Sequence, residues 1–487
     1  MLFRSFRGID IRMRKTINNE LTKDMTSGSP VKLILLFSIP LLIGNIFQQL
    51  YSMVDTIIVG RFVGVDALAA VGTTGSLSFL VNGFIIGLTS GFSVLISQKF
   101  GARDEVGLKK ATASTLVLSL IATVIIMIVS MSFAKPLLNL MNTPDNIMDN
   151  AYSYIIIIYA GTAVTVAYNM FASVLRALGD SKTPLYFLII ASVLNIVLDL
   201  VFIINFNMGV AGAAYATVIS QGISSILCLI YTYKKYKILR LEKEDFKIKR
   251  KMYKKHLKIG IPMALQFSIT ALGIVIVQSA LNVFGSIVIA SYTAASKVLQ
   301  IVMQPAISFG VTMATYCGQN LGAKKYNRIN EGIKRGIQIS IITSIIAGLV
   351  LMFGGKYFVS LFIDNPDATV LAYAQECLNY SAIFFIPLGL IFIYRNALQG
   401  MGQSFVPMMA GVYELTARAI IAFTLPKFIG YTGICLSDPI AWIAAATPLM
   451  IYYHKKFSKI DEKFDKVDEK LNKKAEEVKE IDEELAV

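Results

Sequence analysis

Long apolar stretches recur from one end of the chain to the other, and nothing else in the sequence limits its fold so strongly. Leu33 to Leu42, Leu116 to Ser130 and Ile339 to Phe353 are examples, and many such stretches extend to the roughly 20 residues that carry a helix across a bilayer. The 487 residues are 55% hydrophobic and only 16% charged, whereas soluble domains carry about a quarter charged residues. Water is therefore not the main solvent of this chain, and the expected fold class is an all-α integral membrane protein.

Twelve spans fit the pattern, near 33–60, 67–97, 111–133, 151–176, 183–204, 208–233, 257–281, 287–317, 333–353, 369–394, 405–426 and 430–453. If the N-terminus is cytoplasmic, the inner connections hold Lys99, Arg103, Lys109, Lys110, Arg176, Lys182, Lys324, Lys325, Arg328, Lys334, Arg335 and Arg395, while the outer ones offer only Arg61, Lys135, Lys356 and Lys427. The positive-inside rule then puts both termini in the cytoplasm of a bacterial inner membrane. A net charge of +15 suggests nucleic acid until its location is read. Residues 234–258 hold twelve Lys/Arg against three acidic residues, and residues 1–32 hold seven against three. The excess flanks the membrane, and no nucleic-acid partner is expected.

Cys228, Cys317, Cys377 and Cys435 sit singly in apolar segments, with no disulfide or zinc spacing. No cleavable signal peptide is evident before the first apolar run near Val31. His256 and His454 lack ligand partners in sequence, and no nucleophile elbow or phosphate loop is present. The sequence thus reads as neither an enzyme nor a cofactor protein.

An internal repeat organises the chain. Ser38-Ile39-Pro40 recurs as Gly260-Ile261-Pro262, Gln98 to Arg103 as Gln319 to Lys324, and Gly179 to Pro184 as Gly402 to Pro407, all about 221 to 223 residues apart. Each unit holds six spans and starts on the same side, so the halves should be related by an axis along the membrane normal. The expected division is a leader (1–32), a first lobe (33–233), a basic linker (234–256), a second lobe (257–453) and a charged tail (454–487). In the tail, Ile460, Phe464, Val467, Leu471, Val478 and Ile481 follow helical spacing amid dense Lys and Glu, as in an amphipathic helix.

Ionisable residues inside hydrocarbon are expensive and are functional candidates by default. The first half has Asp55 and Asp199, each about 7 Å inside the outer end of its span at 1.5 Å per residue. Asn195 shares a helix face with Asp199, and Thr217 enters from the outside to a similar depth. Two carboxylates, an amide and a hydroxyl form an oxygen-rich layer that suits a proton or a hard cation such as Na⁺. The second half places Arg418 opposite Asn195 and Asp438 opposite Thr217, and adds Lys297 and Glu414. Glu414 and Arg418, four apart, read first as a local ion pair and second as pathway lining. Pro40 removes a backbone hydrogen bond inside the first span and permits bending there. Gly83, Gly87 and Gly91, and Ala306, Gly310, Ala314 and Gly318, have the spacing of close helix packing.

These residues together resemble the multidrug and toxic compound extrusion family of secondary transporters. The resemblance is carried over about 25–455 by Ser38-Ile39-Pro40, by Asp55 within Val54 to Gly60, by Gln98 to Ala102, by Arg176 to Asp180 with Pro184, by Asn195 and Asp199, and by Gly209 to Ala214. It implies two six-helix lobes around a V-shaped cleft and export of amphipathic, cationic compounds in exchange for H⁺ or Na⁺. It also implies a first-lobe cation site at Asp55, Asn195, Asp199 and Thr217, a bending role for Pro40, and a monomer whose partners are its small-molecule cargo and lipid. The family's alternative acidic residue on the seventh span is missing between Gly260 and Leu272. A lipid-linked saccharide flippase of related fold would call for a basic cavity, and a structural membrane protein would tolerate neutral residues at both aspartates.

Overall fold

In a bilayer every backbone polar group must be satisfied within the protein, which leaves helices as the economical solution for a chain of long apolar segments. A computed structural model describes residues 24–362 and 367–456. Among the described residues there are helices and turns and no strand. The start of the leader and the charged tail beyond residue 456 lie outside the described residues.

Among the described residues, nine helices are long and apolar enough to cross a membrane, and three bent pairs bring the number to twelve. They are α1 (Pro30–Phe62), α2 (Val65–Gly101), α3 (Glu105–Leu140), α4 (Asp145–Ala160 with Thr162–Ala177), α5 (Lys182–Leu200) and α6 (Gly209–Lys235). The second lobe comprises α7 (Arg250–Leu281), α8 (Ser286–Val302 with Gln304–Gly322), α9 (Tyr326–Val359), α10 (Ala368–Ile383 with Phe385–Gly400), α11 (Phe405–Thr424) and α12 (Tyr431–Lys456). Helix α7 begins inside the stretch read from sequence as linker, because the basic residues from Arg250 onward extend the helix beyond the apolar run. His256 is therefore helical, buried, and hydrogen-bonded through Nδ1 to the Met252 carbonyl at 3.0 Å.

The helix breaks lie away from Pro40. Helix α1 runs through Pro40 as one uninterrupted helix, whereas α4, α8 and α10 break by 48°, 40° and 53°. Two of these breaks precede prolines, Pro305 and Pro387, whose missing N–H groups leave the carbonyls of Ile301 and Ile383 without their helical donors. Helix α5 ends in a single wide turn, Val201–Asn205, which begins two residues after Asp199. Such π turns often mark functional positions in helices.

The lobes join through α1 and α2 on one side and α7 and the second piece of α8 on the other. Small residues allow this close approach: a β-carbon on Gly87 would lie 2.6 Å from the Met263 carbonyl oxygen. The repeat generates a reciprocal contact at the end that the charge pattern assigns to the cytoplasm. Gln98 donates to the Gly400 carbonyl and its repeat mate Gln319 donates to the Ala177 carbonyl, both at 3.0 Å. A β-carbon on Gly101 would overlap the backbone of Gln319, and one on Gly322 the backbone of Gln98. Glycine is required at both positions because two backbones cross there. Residues 24–29 strap onto the same end: Met25 N–H donates to Gln319 Oε1 at 2.9 Å, and Lys325 Nζ donates to the Thr26 carbonyl at 2.7 Å.

Candidate functional site

Helices α1, α5 and α6 of the first lobe bring the expected polar layer together. Asp55, Asn195 and Asp199 are 8%, 1% and 0% exposed, a depth at which polar atoms normally have partners. Asn195 Nδ2 donates to Thr217 Oγ1 at 3.4 Å, joining α5 to α6. The Asp55 and Asp199 carboxyls are electrostatic neighbours, facing one another from α1 and α5.

The layer is incomplete in a specific way. Asp55 Oδ1, Asn195 Oδ1 and both carboxylate oxygens of Asp199 are buried with no hydrogen-bond partner among the described residues. Four buried acceptors without donors create a local demand for positive charge. A proton between the carboxyls would supply the missing donor, and a bare cation would find oxygens of the type it prefers.

Sequence reasoning missed the walls of this site. Tyr51, one turn before Asp55, neighbours Gln221, one turn after Thr217. Thr165 Oγ1 donates to Gln221 Oε1 at 2.9 Å, tying in α4. Tyr154, also on α4, lies within electrostatic reach of both carboxyls. Helical spacing from Asp55 and Thr217 was the available signal for Tyr51 and Gln221. Tyr154 and Thr165 belong to a helix whose place beside α6 sequence spacing does not encode.

The second-lobe residues form a different object. Arg395 donates to Glu414 Oε2 at 2.8 Å, Arg418 donates to Glu414 Oε1 at 2.9 Å, and Arg418 Nε donates to Asp438 Oδ1 at 2.6 Å. Tyr292 OH reaches Asp438 Oδ2 at 3.5 Å. Two guanidinium groups thus meet two carboxylates in one ladder spanning α10, α11 and α12, of which Arg395 was absent from the expected cluster. Lys297 stands apart, exposed on the first piece of α8.

Comparison with known proteins agrees with this architecture. The MatE family model matches residues 40–201 and 259–424, one match in each lobe. Two of the similar proteins are from Bacillus subtilis. One is described as probable multidrug resistance protein YpnP, 29% identical over 437 residues, covering 88% of this chain and 96% of that protein. The other, probable multidrug resistance protein YoeA, is 29% identical over 433 residues, covering 87% and 92%. Among solved structures, a MOP superfamily transporter from Pyrococcus furiosus, described as having a binding pocket of reverse polarity, superposes with a TM-score of 0.85 at 24% identity, covering 90% of this chain and 98% of that one. At that identity the likeness speaks for the fold alone. With both halves of its repeat matched by the family model, the chain belongs to the MatE family, whose members include multidrug efflux transporters.

Proposed function

We propose that this membrane transporter is a secondary antiporter that exports small amphipathic, cationic organic compounds in exchange for H⁺ or Na⁺. The observation that carries this reading is the set of four donor-less oxygens on Asp55, Asn195 and Asp199. A site that lacks only a positive charge is suited to take one up from one side of the membrane and release it on the other. The repeat supplies the second requirement, two lobes able to expose that site alternately. Export follows when occupation by the cation and occupation by cargo favour different lobe arrangements. Pro40, with no N–H to hold the helix closed, lets α1 bend as Asp55 changes partners.

Ethidium efflux from drug-sensitive bacteria tests this, with wild type, Asp55→Asn, Asn195→Ala and Asp199→Asn at matched surface levels and with the Na⁺ or proton gradient removed in turn. Active wild type, inactive substitutions and dependence on one gradient are the expected results, and that gradient names the ion. Unimpaired efflux by the substituted proteins would reject Asp55 and Asp199 as the coupling site.

A further inference from the structure

Helices α1 and α8 each expose a polar strip on one side. On α1 the strip is Gln48, Ser52 and Thr56, which fall within about 80° at 100° per residue and are exposed. The exposed Ile43, Phe47, Leu50 and Ile57 lie on another side of the same helix. On the first piece of α8, Thr293, Lys297 and Gln300 share one exposed side. Lipid-facing surface looks different: on α3 it consists of Leu120, Ile121, Ile125 and Ile128.

The α1 strip continues the side on which Ser38 and Asn45 meet α8. Helices α1 and α8 touch through Ser38 Oγ and Thr312 Oγ1 at 2.7 Å, and through Asn45 Nδ2 donating to Ser308 Oγ at 3.3 Å. Beyond Ser308 the 40° break turns the first piece of α8, and Lys297 with it, onto a new course. Packing of α8 on α1 is made by its second piece.

Lys297 lies eleven residues after Ser286, about 16 Å along the axis, farther than a lysine stem can snorkel back to the surface. A lysine facing hydrocarbon at that depth costs about 2.5–3.5 kcal/mol, so its exposed side faces water. It takes part in no ion pair or hydrogen bond among the described residues, while Arg395 and Arg418 are held by Glu414 and Asp438. Lys297 is thus an exposed cation without a counter-charge among the described residues, with a hydroxyl and an amide beside it on the same side of its helix.

We propose that Lys297 is a specificity-determining residue that binds an acidic group, a carboxylate or phosphate, on the transported compound, with Thr293 and Gln300 as neighbouring hydrogen-bonding groups. The preferred cargo is then an amphiphile that carries an acid as well as its cationic centre. This deepens the export reading and rests on it only in taking the ligand to be cargo.

The test is equilibrium binding to the full chain in phosphatidylcholine nanodiscs, using a matched pair of fluorescent probes, dansylglycine and its methyl ester. Wild type should favour the acid over the ester by about tenfold, a typical size for one desolvated charge-assisted contact. Lys297→Gln should erase that preference with ester binding unchanged, and Lys297→Arg should keep it. Equal affinity of the wild type for both probes, no measurable binding of the acid, or an unchanged ratio in Lys297→Gln overturns the proposal. Loss of ester binding in Lys297→Gln would make the residue structural and also overturns it. So does a preference that vanishes when phosphatidylglycerol is added, since the lysine would then serve lipid headgroups. Binding needs no ion gradient, so failure of the antiport reading would appear as absent gradient-driven efflux with the acid preference intact.

Discussion

The same helix pair makes the same contact in both lobes, with opposite chemistry. In the first lobe Asn195 of α5 meets Thr217 of α6, amide to hydroxyl at 3.4 Å. In the second lobe their repeat mates, Arg418 of α11 and Asp438 of α12, meet as guanidinium and carboxylate at 2.6 Å. Around the first contact four buried oxygens lack donors, whereas around the second Glu414 completes a ladder that pairs each guanidinium. One lobe keeps an unmet demand for positive charge and the other has satisfied it from within. A duplicated scaffold can in this way hold exchangeable chemistry in one copy and permanent structure in the other.

The comparison is broken most directly by neutralising each side. Asp199→Asn or Asp55→Asn should reduce gradient-driven efflux to background while leaving the protein folded, because removing a carboxylate charge there strands no partner. Efflux and thermal stability in detergent measured on the same preparations check both halves of the statement. Glu414→Gln should do the reverse damage. Leaving Arg395 buried with a neutral partner, and Arg418 with Asp438 as its remaining carboxylate, should cost about 3–5 kcal/mol, seen as a lowered unfolding temperature or loss of the monodisperse protein. Stability equal to wild type in Glu414→Gln would show that the ladder is not structural.

A smaller effect tests whether the repeat still acts symmetrically where the lobes join. Gln98→Ala and Gln319→Ala each remove one inter-lobe hydrogen bond to a backbone carbonyl, worth about 1 kcal/mol. The two substitutions should each raise the population in which the lobes separate at this end by similar factors of about five, read as spin-label distances between Glu105 and Arg335. A large difference between them would show that the strap of residues 24–29, which engages Gln319 alone, dominates this end.

The smallest effect concerns the connections. Asp104 caps α3 by accepting from Gly107 N–H at 2.8 Å, and the Lys99 ammonium at 2.6 Å holds its carboxyl below the usual carboxylate range. Its repeat mate is Lys325, which caps nothing and reaches Thr26 instead. Because the Asp104 pKa is lowered on folding, its contribution is present above the ordinary value near 4 and is lost as pH falls through the folded value. Asp104→Asn should cost no more than about 1 kcal/mol at neutral pH. Thermal unfolding followed at neutral and acidic pH should show the difference shrinking on acidification.

Sequence by itself determined the membrane class, the span pattern, the duplicated organisation and the first-lobe layer. Each rests on a rule that acts locally: apolar length against bilayer thickness, and helical spacing plus depth for Asp55, Asn195, Asp199 and Thr217. The internal repeat extended those rules across 221 to 223 residues. Tertiary structure decided what distance along the chain conceals. Tyr154 and Thr165 join the layer because α4 packs against α6, Arg395 completes the ladder from α10, and Lys297 stands exposed on the first piece of α8 with no ion pair among the described residues. The main-chain breaks also fell at Gly161, Met303 and Phe384 rather than at Pro40. A proline removes one hydrogen bond wherever it stands, but whether the helix breaks there depends on what packs against it, and that is a property of neighbours from other parts of the chain.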